Sequence, residues 1–250
     1  KSSIVLSAFV LLISVGYSEA ADWPRFRGAD GNASAPAARV PLTWSVTENM
    51  AWKVEIPGNG ASSPSVFSGR IYVTSFTGYG LNPDDPGNRE DLKQHVLCYD
   101  LDGGKLLWDK FTKAAEAEQE ATRRVADHGY ATGTAVCDER GVYAYFGVSG
   151  LVAYDHEGDL LWQAQTGDGT KGFGSAASPI LYRDLVIINA SIEAKTVFAF
   201  NRASGKEVWR IENVEASWTT PIVAPSGDGR DELIVSYKEH VRGFDPNTGS

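Results

Sequence analysis

The sequence has little basic charge and few histidines, and each shortage excludes a class of function. Its 250 residues include 23 Lys and Arg against 32 Asp and Glu, so the net charge is −9, and no basic stripe is present. Because nucleic-acid binding needs clustered cations that displace counterions, a nucleic-acid partner is excluded. The four histidines, His95, His128, His156 and His240, lie far apart without the spacing of metal ligands. The sequence therefore predicts no metal site.

Cysteine is scarce as well, with Cys98 and Cys137 each lying within a strand-like run. A disulfide is chemically possible in an exported protein, but two buried free thiols are the expected state. Neither cysteine stands at the end of the N-terminal apolar run, where a bacterial lipoprotein carries its lipid acceptor. The apolar fraction of 42% is large enough for a packed core, which argues against a disordered chain.

Long apolar runs are also missing, apart from residues 4–17, which follow Lys1 and end at small residues. This pattern is typical of a secretory signal peptide, and the run is short for a membrane span. We expect residues 1–20 to be a signal peptide, with an uncleaved anchor as the alternative. The protein is then periplasmic or in the cell envelope, with no transmembrane span after cleavage. Because no Met precedes Lys1 and the chain stops inside a hairpin, we expect a fragment at both ends.

A repeated unit dominates the rest of the sequence. Four times a short apolar strand runs into a polar hairpin, and three copies close on a tryptophan. Self-similarity at a period of roughly 20 to 50 residues is typical of solenoids, propellers and arrays. The repeated positions are a small residue, an Asp or Asn, a Gly and a Trp: Cys98, Asp100, Gly104 and Trp108; Ala153, Asp155, Gly158 and Trp162; Ala199, Asn201, Gly205 and Trp209; Gly243, Asp245 and Gly249.

Each repeated position has a physical reason. The Asp carboxylate can accept hydrogen bonds from the turn amides, and the Gly takes a positive φ at no steric cost. The small residue leaves room beside a neighbouring unit, and the Trp fills it with apolar surface that is stabilising when buried. We therefore expect these residues to be structural.

The spacing of the unit predicts a β-propeller. Each unit contains four short strands, because a strand with small residues and a β-branched run precede the hairpin. Successive tryptophans lie 54 residues apart from Trp108 to Trp162 and 47 apart from Trp162 to Trp209, which suits a four-stranded blade. We expect an all-β propeller of four-stranded antiparallel blades. Residues 51–250 would supply about three complete blades and partial ones of a seven- or eight-bladed ring truncated at the C-terminus.

The segments between and before the units have separate interpretations. Residues 21–50 are expected to form an N-terminal arm over the propeller rim, and Trp52 to lie in a strand that completes a blade from the far C-terminus. Residues 80–94 are predicted to be a loop, and residues 113–125 one short helix. His128 lies where a propeller places its axial mouth and is a candidate for ligand or partner contact, with a structural hydrogen bond as the alternative. His156, in a hairpin turn, is expected to be exposed.

Other polar patterns are interpreted as turns rather than sites. Residues 82–91 and 226–232 offer oxygen ligands of the kind that calcium prefers, but they lack the spacing of a calcium loop. Residues 167–172 spell the dinucleotide glycine pattern, yet a strand rather than a helix follows. No kinase catalytic loop is present, and no Ser-His-Asp set is identified. No catalytic residue is therefore predicted.

The repeated unit resembles the tryptophan-docking repeat of the pyrroloquinoline-quinone-type β-propellers over residues 50–250. Residues 22–28 are also similar to the start of exported propeller proteins of planctomycete-type bacteria, with further matches at 128–131 and 172–179. The resemblance implies one of two functions. Quinoprotein dehydrogenases hold the quinone and a calcium ion over the propeller axis, whereas scaffolds such as the outer-membrane protein assembly component hold no cofactor. A dehydrogenase implies two adjacent cysteines, but Cys98 and Cys137 are 39 residues apart.

We therefore expect a non-catalytic, exported propeller without a cofactor, which acts as an interaction scaffold or ligand-binding module for envelope proteins or an exported ligand. The alternative is a pyrroloquinoline-quinone-dependent oxidoreductase of the alcohol or sugar dehydrogenase type, which binds the quinone with calcium and has site residues in further blades. A third hypothesis is a polysaccharide-binding or processing accessory. Exposed aromatic rings at the axial mouth would favour it, because sugar rings can stack there.

Overall fold

The computed structural model describes residues 22–35, 40–122, 125 and 128–250, so the expected signal peptide lies outside the described residues. Within them, fifteen strands form four antiparallel sheets in which neighbouring strands are consecutive in the chain. The predicted all-β fold with four-stranded antiparallel blades is confirmed. No helix of the described residues is long and apolar enough to cross a bilayer.

The four sheets are named blades 1 to 4 in chain order. Blade 1 contains β1 (Ser65–Phe67), β2 (Arg70–Thr77), β3 (Lys93–Asp100) and β4 (Leu106–Lys113). Blade 2 contains β5 (Val136–Cys137), β6 (Val142–Tyr145), β7 (Leu151–Tyr154) and β8 (Leu160–Ala164). Blade 3 contains β9 (Ile180–Tyr182), β10 (Leu185–Ala190), β11 (Thr196–Asn201) and β12 (Glu207–Ile211). Blade 4 contains β13 (Ile222–Pro225), β14 (Asp231–Tyr237) and β15 (His240–Phe244).

The core lies between blades rather than within one sheet. Three clusters of buried side chains join blade 1 to 2, blade 2 to 3, and blade 3 to 4. In β10, Val186 and Ile188 pack towards blade 2 while Ile187 packs towards blade 4, as the period of two along a strand requires. Both faces of β10 are therefore covered, which explains its apolar run at residues 185–188.

A ladder of hydroxyl groups links the first strands of successive blades. The amide of Ser63 donates to Oγ1 of Thr134 at 3.0 Å, and the amide of Thr134 donates to Oγ of Ser178 at 2.9 Å. The amide of Ser178 then donates to Oγ1 of Thr220 at 3.0 Å. Each bond pairs equivalent positions of neighbouring blades, so the first strands lie side by side as the inner strands of the arc.

The first described residues of the N-terminal arm lie against these inner strands, whereas packing over the propeller rim was expected. The amide of Trp23 donates to the carbonyl of Val66 at 2.9 Å, and the reverse bond measures 2.8 Å. The Pro24 carbonyl accepts from the amide of Cys137 at 2.8 Å. The arm therefore extends the pairing of β1 and also bonds to β5, because both inner strands present unpaired backbone groups there.

One further expectation needs correction, and another is not tested by the described residues. Residues 114–122 form turns and extended chain rather than a helix, because tyrosines hold their backbone: the amide of Ala121 donates to Tyr79 Oη, and Tyr130 Oη donates to the carbonyl of Gln119, both at 3.0 Å. Residues 51–56, which contain Trp52, pair with no strand among the described residues, so the expected pairing with a blade from the far C-terminus stays a prediction. Residues 80–92 form the predicted loop, with a 3-10 turn at Arg89–Asp91.

Candidate functional site

Each docking tryptophan contacts the hairpin of the following blade rather than that of its own. The indole Nε1 donates to a backbone carbonyl of that hairpin at 2.9 Å in three cases. The pairs are Trp52 with Leu101, Trp108 with His156, and Trp162 with Arg202. The indole also lies against the hairpin glycine, since a β-carbon at Gly205 would come within 2.6 Å of Trp162.

The hairpins are shaped as the repeated residues predict. The carboxylate of Asp100 accepts the amide of Gly103 at 2.7 Å, and that of Asp155 accepts the amide of Asp159 at 2.8 Å. The four hairpin glycines, Gly104, Gly158, Gly205 and Gly249, have φ of 66°, 88°, 65° and 74°. The small residue lies opposite the tryptophan of its own blade in the strand register, in the pairs Cys98 with Trp108, Ala153 with Trp162 and Ala199 with Trp209.

Trp209 packs against the fourth hairpin. A β-carbon at Gly249 would come within 2.8 Å of this indole, as in the other copies. The Nε1 of Trp209 has no acceptor among the described residues, although the side chain is only 8% exposed. Asp245 shapes the turn by accepting the amide of Asn247 at 2.8 Å. At this fourth hairpin the indole therefore packs against the glycine as in the other copies, but its Nε1 makes no hydrogen bond to the hairpin among the described residues.

The strand order gives the arc two faces. In up-and-down blades, the turns after the first and third strands lie at one end, and the connections after the second and fourth lie at the other. The docking hairpins therefore share the first end, which we call the hairpin face. The other end, which we call the loop face, carries the long connections at residues 57–64, 78–92, 114–135, 165–179 and 212–221.

The inner strands border a groove of about 390 Å³ at the loop face, which we call the axial groove. Its walls combine residues of the arm, hydroxyl side chains of the ladder and one tryptophan, Trp218. The lining includes Arg25, Phe26, Arg27, Ser63, Thr132, Thr134, Ser178, Trp218, Thr219 and Thr220. None of the described residues that line it is acidic. The groove therefore offers hydroxyl donors, an aromatic face and cationic groups.

Aromatic rings stand beside this groove in a row. The ring of His128 meets Phe173 edge-on with centroids 5.4 Å apart, and Phe173 meets Trp218 edge-on at 5.8 Å. Trp218 is anchored by a 2.8 Å bond from its Nε1 to the carbonyl of Gly174. Phe173 and Phe26 remain 40% and 39% exposed. Exposed aromatic rings, which the third hypothesis requires, are thus present, and His128 lies among them at the loop face.

Two buried carboxyl groups lie beneath the same face. Oε2 of Glu118 accepts from Gln94 Nε2 at 3.4 Å, and Oε1 of Glu193 accepts from Ser175 Oγ. Burial raises the pKa of Glu118 to about 7, and it raises that of Glu193 as well. Glu118 borders a cavity of only about 10 Å³, enough for about one water molecule.

His156 and the two cysteines make contacts within and between the blades, which explain their positions without a bound ligand. His156 is half-buried rather than exposed, because Nδ1 bonds to Tyr72 Oη at 2.6 Å and Nε2 to the carbonyl of Asp138 at 2.9 Å. Cys98 and Cys137 are buried free thiols, as expected, and burial raises their pKa values to about 11 and about 12.

The polar loops show no cation site within the described residues. No group of three or more His, Cys, Asp or Glu side chains is placed to hold a metal ion in this part of the chain. In the turn after β13, Asp228 bonds to Arg230 Nε at 2.8 Å, which lowers the pKa of the Asp228 carboxyl. The interpretation of residues 226–232 as a tight turn between strands agrees with this contact.

The match to a protein family rests on the repeated blades. A family model described as outer membrane protein assembly factor BamB matches residues 92–250, well over half of the chain. The chain belongs to this family of pyrroloquinoline-quinone-like β-propellers. Comparison with curated proteins gave no match.

Solved structures are similar to this chain at low identity. Quinohemoprotein alcohol dehydrogenase ADHIIG from Pseudomonas putida HK5 is similar over 80% of this chain, with a TM-score of 0.51 and 14% identity. The chain spans 34% of that protein, about a third of its length. BamB from Moraxella catarrhalis is similar over 62% of this chain and 42% of its own, with 19% identity and a TM-score of 0.40. At these identities the likeness shows the fold alone.

The dehydrogenases of this fold imply a quinone with calcium, and the described residues fit that pair poorly. The axial groove has an aromatic wall and room for a small ligand, but its described lining offers no carboxylate to hold a calcium ion. The buried carboxyl of Glu118 borders a cavity of about 10 Å³, far too small for a tricyclic quinone. The sulfur atoms of Cys98 and Cys137 are buried in the core between blades 1 and 2.

The sequence singled out His128, whose role in ligand or partner contact stays a prediction, but it did not single out the neighbours of His128. Trp218 stands outside the docking repeat, directly before the residues Thr219 and Thr220 that open the inner strand of blade 4. The sequence could have indicated Trp218 as a candidate site residue, because it lies outside the docking repeat and the repeat therefore does not explain its presence. The sequence did not indicate that Glu118 and Glu193 are buried, because their burial depends on contacts between blades that form only in the folded chain.

Proposed function

We propose that this chain is a non-catalytic binding module of the cell envelope, and that its loop face carries the binding site. The observation that carries the proposal is the axial groove, where Trp218 and the hydroxyls of Thr132 and Thr220 line a concavity without acidic groups. Ligand sites combine an apolar surface with a few convergent polar groups, and this groove has both. The hairpin face, in contrast, carries the docking contacts of the repeat, and its concavity of about 580 Å³ over blades 3 and 4 is lined by several acidic residues and no tryptophan among the described residues.

The family description supports a scaffold or binding role. The family model is described as an assembly factor of the outer membrane. If this chain shares that description, its role is non-catalytic and lies in the envelope. The leader-like pattern of residues 1–20 supports export. We propose other envelope proteins or an exported ligand as the partners. Within this assignment, residues 21–50 serve as an arm and residues 51–250 as the propeller part.

The first experiment is calorimetric titration of the full chain with pyrroloquinoline quinone, in calcium and then in chelator. We expect no heat of binding in either condition, because the described lining of the axial groove has no acidic calcium ligand and the buried Glu118 borders a cavity of only about 10 Å³. A quinone-dependent alcohol dehydrogenase serves as the positive control. Calcium-dependent binding at micromolar concentration would overturn the proposal in favour of the oxidoreductase alternative.

A second experiment addresses location. Cell fractionation of the full chain should recover it from the periplasm or envelope fraction. Deletion of residues 2–17 should retain it in the cytoplasm, because the apolar run is the part that export machinery recognises. Recovery of the intact chain from the cytoplasm would contradict the envelope assignment.

A further inference from the structure

A second concavity opens on the loop face over blades 3 and 4, with a volume of about 920 Å³. Three lysines line it, Lys171, Lys195 and Lys238, and we call it the lysine cavity. All three side chains are exposed. The chain as a whole carries a net charge of −9, so three cations around one concavity are a local reversal of its charge. Such a site attracts anions by its field.

The acidic residues of the cavity neutralise only part of this charge. Glu215 pairs with Lys238, with Oε1 and Nζ 3.1 Å apart. Glu193 is 5% exposed and is bonded to Ser175, so its carboxyl faces the interior. Among the described residues, no carboxylate lies within ion-pair distance of Lys171 or Lys195. These two ammonium groups are therefore left for an external anion.

The backbone around the cavity is already bonded to itself. The amide of Val214 donates to the carbonyl of Lys195 at 2.8 Å, and the amide of Gly169 donates to the carbonyl of Glu193 at 2.9 Å. The amide of Lys195 donates to the carbonyl of Ser191 at 3.2 Å. These walls offer no strand edge for an extended peptide, which would bind through main-chain bonds. The ligand must be recognised through side chains.

An aromatic pair adjoins the lysine cavity. Phe173 follows Lys171 by two residues, and Trp218 follows the cavity residue Ala216 by two. Trp218 also lines the axial groove, and its ring lies 3.6 Å from a β-carbon built at Gly172, the residue after Lys171. Trp218 therefore links the axial groove to the segment that carries Lys171. Aromatic faces next to cationic groups suit a ligand with flat apolar ring faces and negative charge. A peptide of acidic residues alone would supply the charge but not the ring faces.

We infer that the lysine cavity binds the carboxylates of an acidic oligosaccharide, whose sugar rings stack on the neighbouring Trp218. The inference rests on the proposed function, because it names the ligand class of the loop face. Lys171 and Lys195 contact the uronate carboxylates of the ligand. Because an ammonium group acts as a point charge, it can pair with carboxylates in varied orientations along a flexible oligosaccharide. The hydroxyls of the axial groove receive the continuation of the same chain. The ligand is bound and released unchanged.

Calorimetric titration of the full chain with tetragalacturonate at low salt tests the inference. We expect binding that weakens as salt rises, because the ion pairs are exposed to solvent. Lys171→Gln and Lys195→Gln should each weaken binding by roughly two- to fivefold, the size of exposed ion pairs. Trp218→Ala should weaken it further, through loss of the stacking surface. Thermal melting of each variant confirms that the fold is retained.

Matched controls define the outcomes. Lys206→Gln removes an exposed lysine of the hairpin face and should leave binding unchanged. Maltotetraose, which has the ring faces without the charge, should bind more weakly than tetragalacturonate. No binding of tetragalacturonate, or equal loss in the Lys206→Gln variant, would overturn the inference. Equal binding of tetraglutamate would assign the cavity to acidic peptides and overturn the saccharide class. Each of these failures leaves the quinone titration as the separate test of the proposed function.

Discussion

The indole of Trp162 lies on the backbone of Gly205, which belongs to the hairpin of the next blade. A β-carbon at Gly205 would come within 2.6 Å of the ring, and the Trp162 Nε1 donates to the carbonyl of Arg202 at 2.9 Å. One residue of blade 2 thus fixes both the distance and the orientation of blade 3. Equivalent contacts join Trp52 and Trp108 to the hairpins that follow them. The same tryptophan-to-hairpin contact therefore sets the distance between successive blades along the arc.

The first prediction concerns the space above the hairpin glycine. Gly205→Ala should destabilise the fold by roughly 2 to 4 kcal/mol, because it adds strain at φ of 65° and a clash with Trp162. Gly69→Ala is the matched control, since Gly69 has φ of 75° with no atom within 4 Å of the added β-carbon. It should lose only about 1 to 2 kcal/mol. Equal losses in urea unfolding would show that the contact with Trp162 contributes nothing.

The second prediction separates the ring of Trp162 from its hydrogen bond. Trp162→Ala should lower the free energy of unfolding by about 3 to 5 kcal/mol, because a side chain only 8% exposed is removed. Trp162→Phe keeps an aromatic ring but leaves the Arg202 carbonyl unpaired, so it should lose roughly 1 to 3 kcal/mol. Chemical unfolding monitored by circular dichroism measures both. A loss below about 1 kcal/mol for Trp162→Ala would contradict the docking role.

The third prediction concerns pH and Glu118. Its pKa is about 7 in the folded chain because burial disfavours the carboxylate, and 4.5 is the ordinary value. The folded state therefore holds the proton more tightly, and this contribution to stability is full below about pH 4.5 and lost as pH rises through 7. Glu118→Gln should remove a fall of roughly 3 kcal/mol between these values.

Urea unfolding over this pH range gives the comparison for Glu118. Glu116→Gln is the matched control, since Glu116 is exposed on the same segment. It should keep the pH dependence of the unchanged chain. The same pH dependence in the Glu118→Gln variant would assign the effect to other groups, such as the buried Glu193.

The fourth prediction concerns the two thiols. Cys98 and Cys137 are 0% and 2% exposed, and burial raises their pKa values to about 11 and about 12. Since the thiolate is the reactive form, both should react very slowly with an aromatic disulfide reagent at pH 8. In denaturant both should react fully. Rapid reaction of either thiol in the folded chain would contradict its burial between blades.

The repeat could be predicted from the sequence because its chemistry is local. The hairpins at Asp100 and Asp155 are shaped by bonds within a few residues, so their residue types predicted the turn. Which hairpin each tryptophan meets was not predictable in the same way. Trp162 and Arg202 are separated by 40 residues, and the choice between the same and the next blade is made by packing.

The candidate site was less predictable for a related physical reason. The segment at residues 114–122 has helix-forming composition, but contacts with Tyr79 and Tyr130 hold its backbone in another conformation. His156 was expected in solvent because it lies in a turn, yet the neighbouring blade supplies Tyr72 as a partner. Tertiary contacts therefore overrode local propensity at the places where blades meet.

In the proposed division of roles, the loop face binds ligand and the contacts of the hairpin face hold the blades together. Hydrogen exchange of the full chain with and without tetragalacturonate tests it most directly. Protection should rise in residues 169–174, 191–195 and 213–218, and stay unchanged in the hairpins at residues 101–105, 155–159 and 202–206. Protection confined to the hairpins, or no change at saturating tetragalacturonate, would contradict the account.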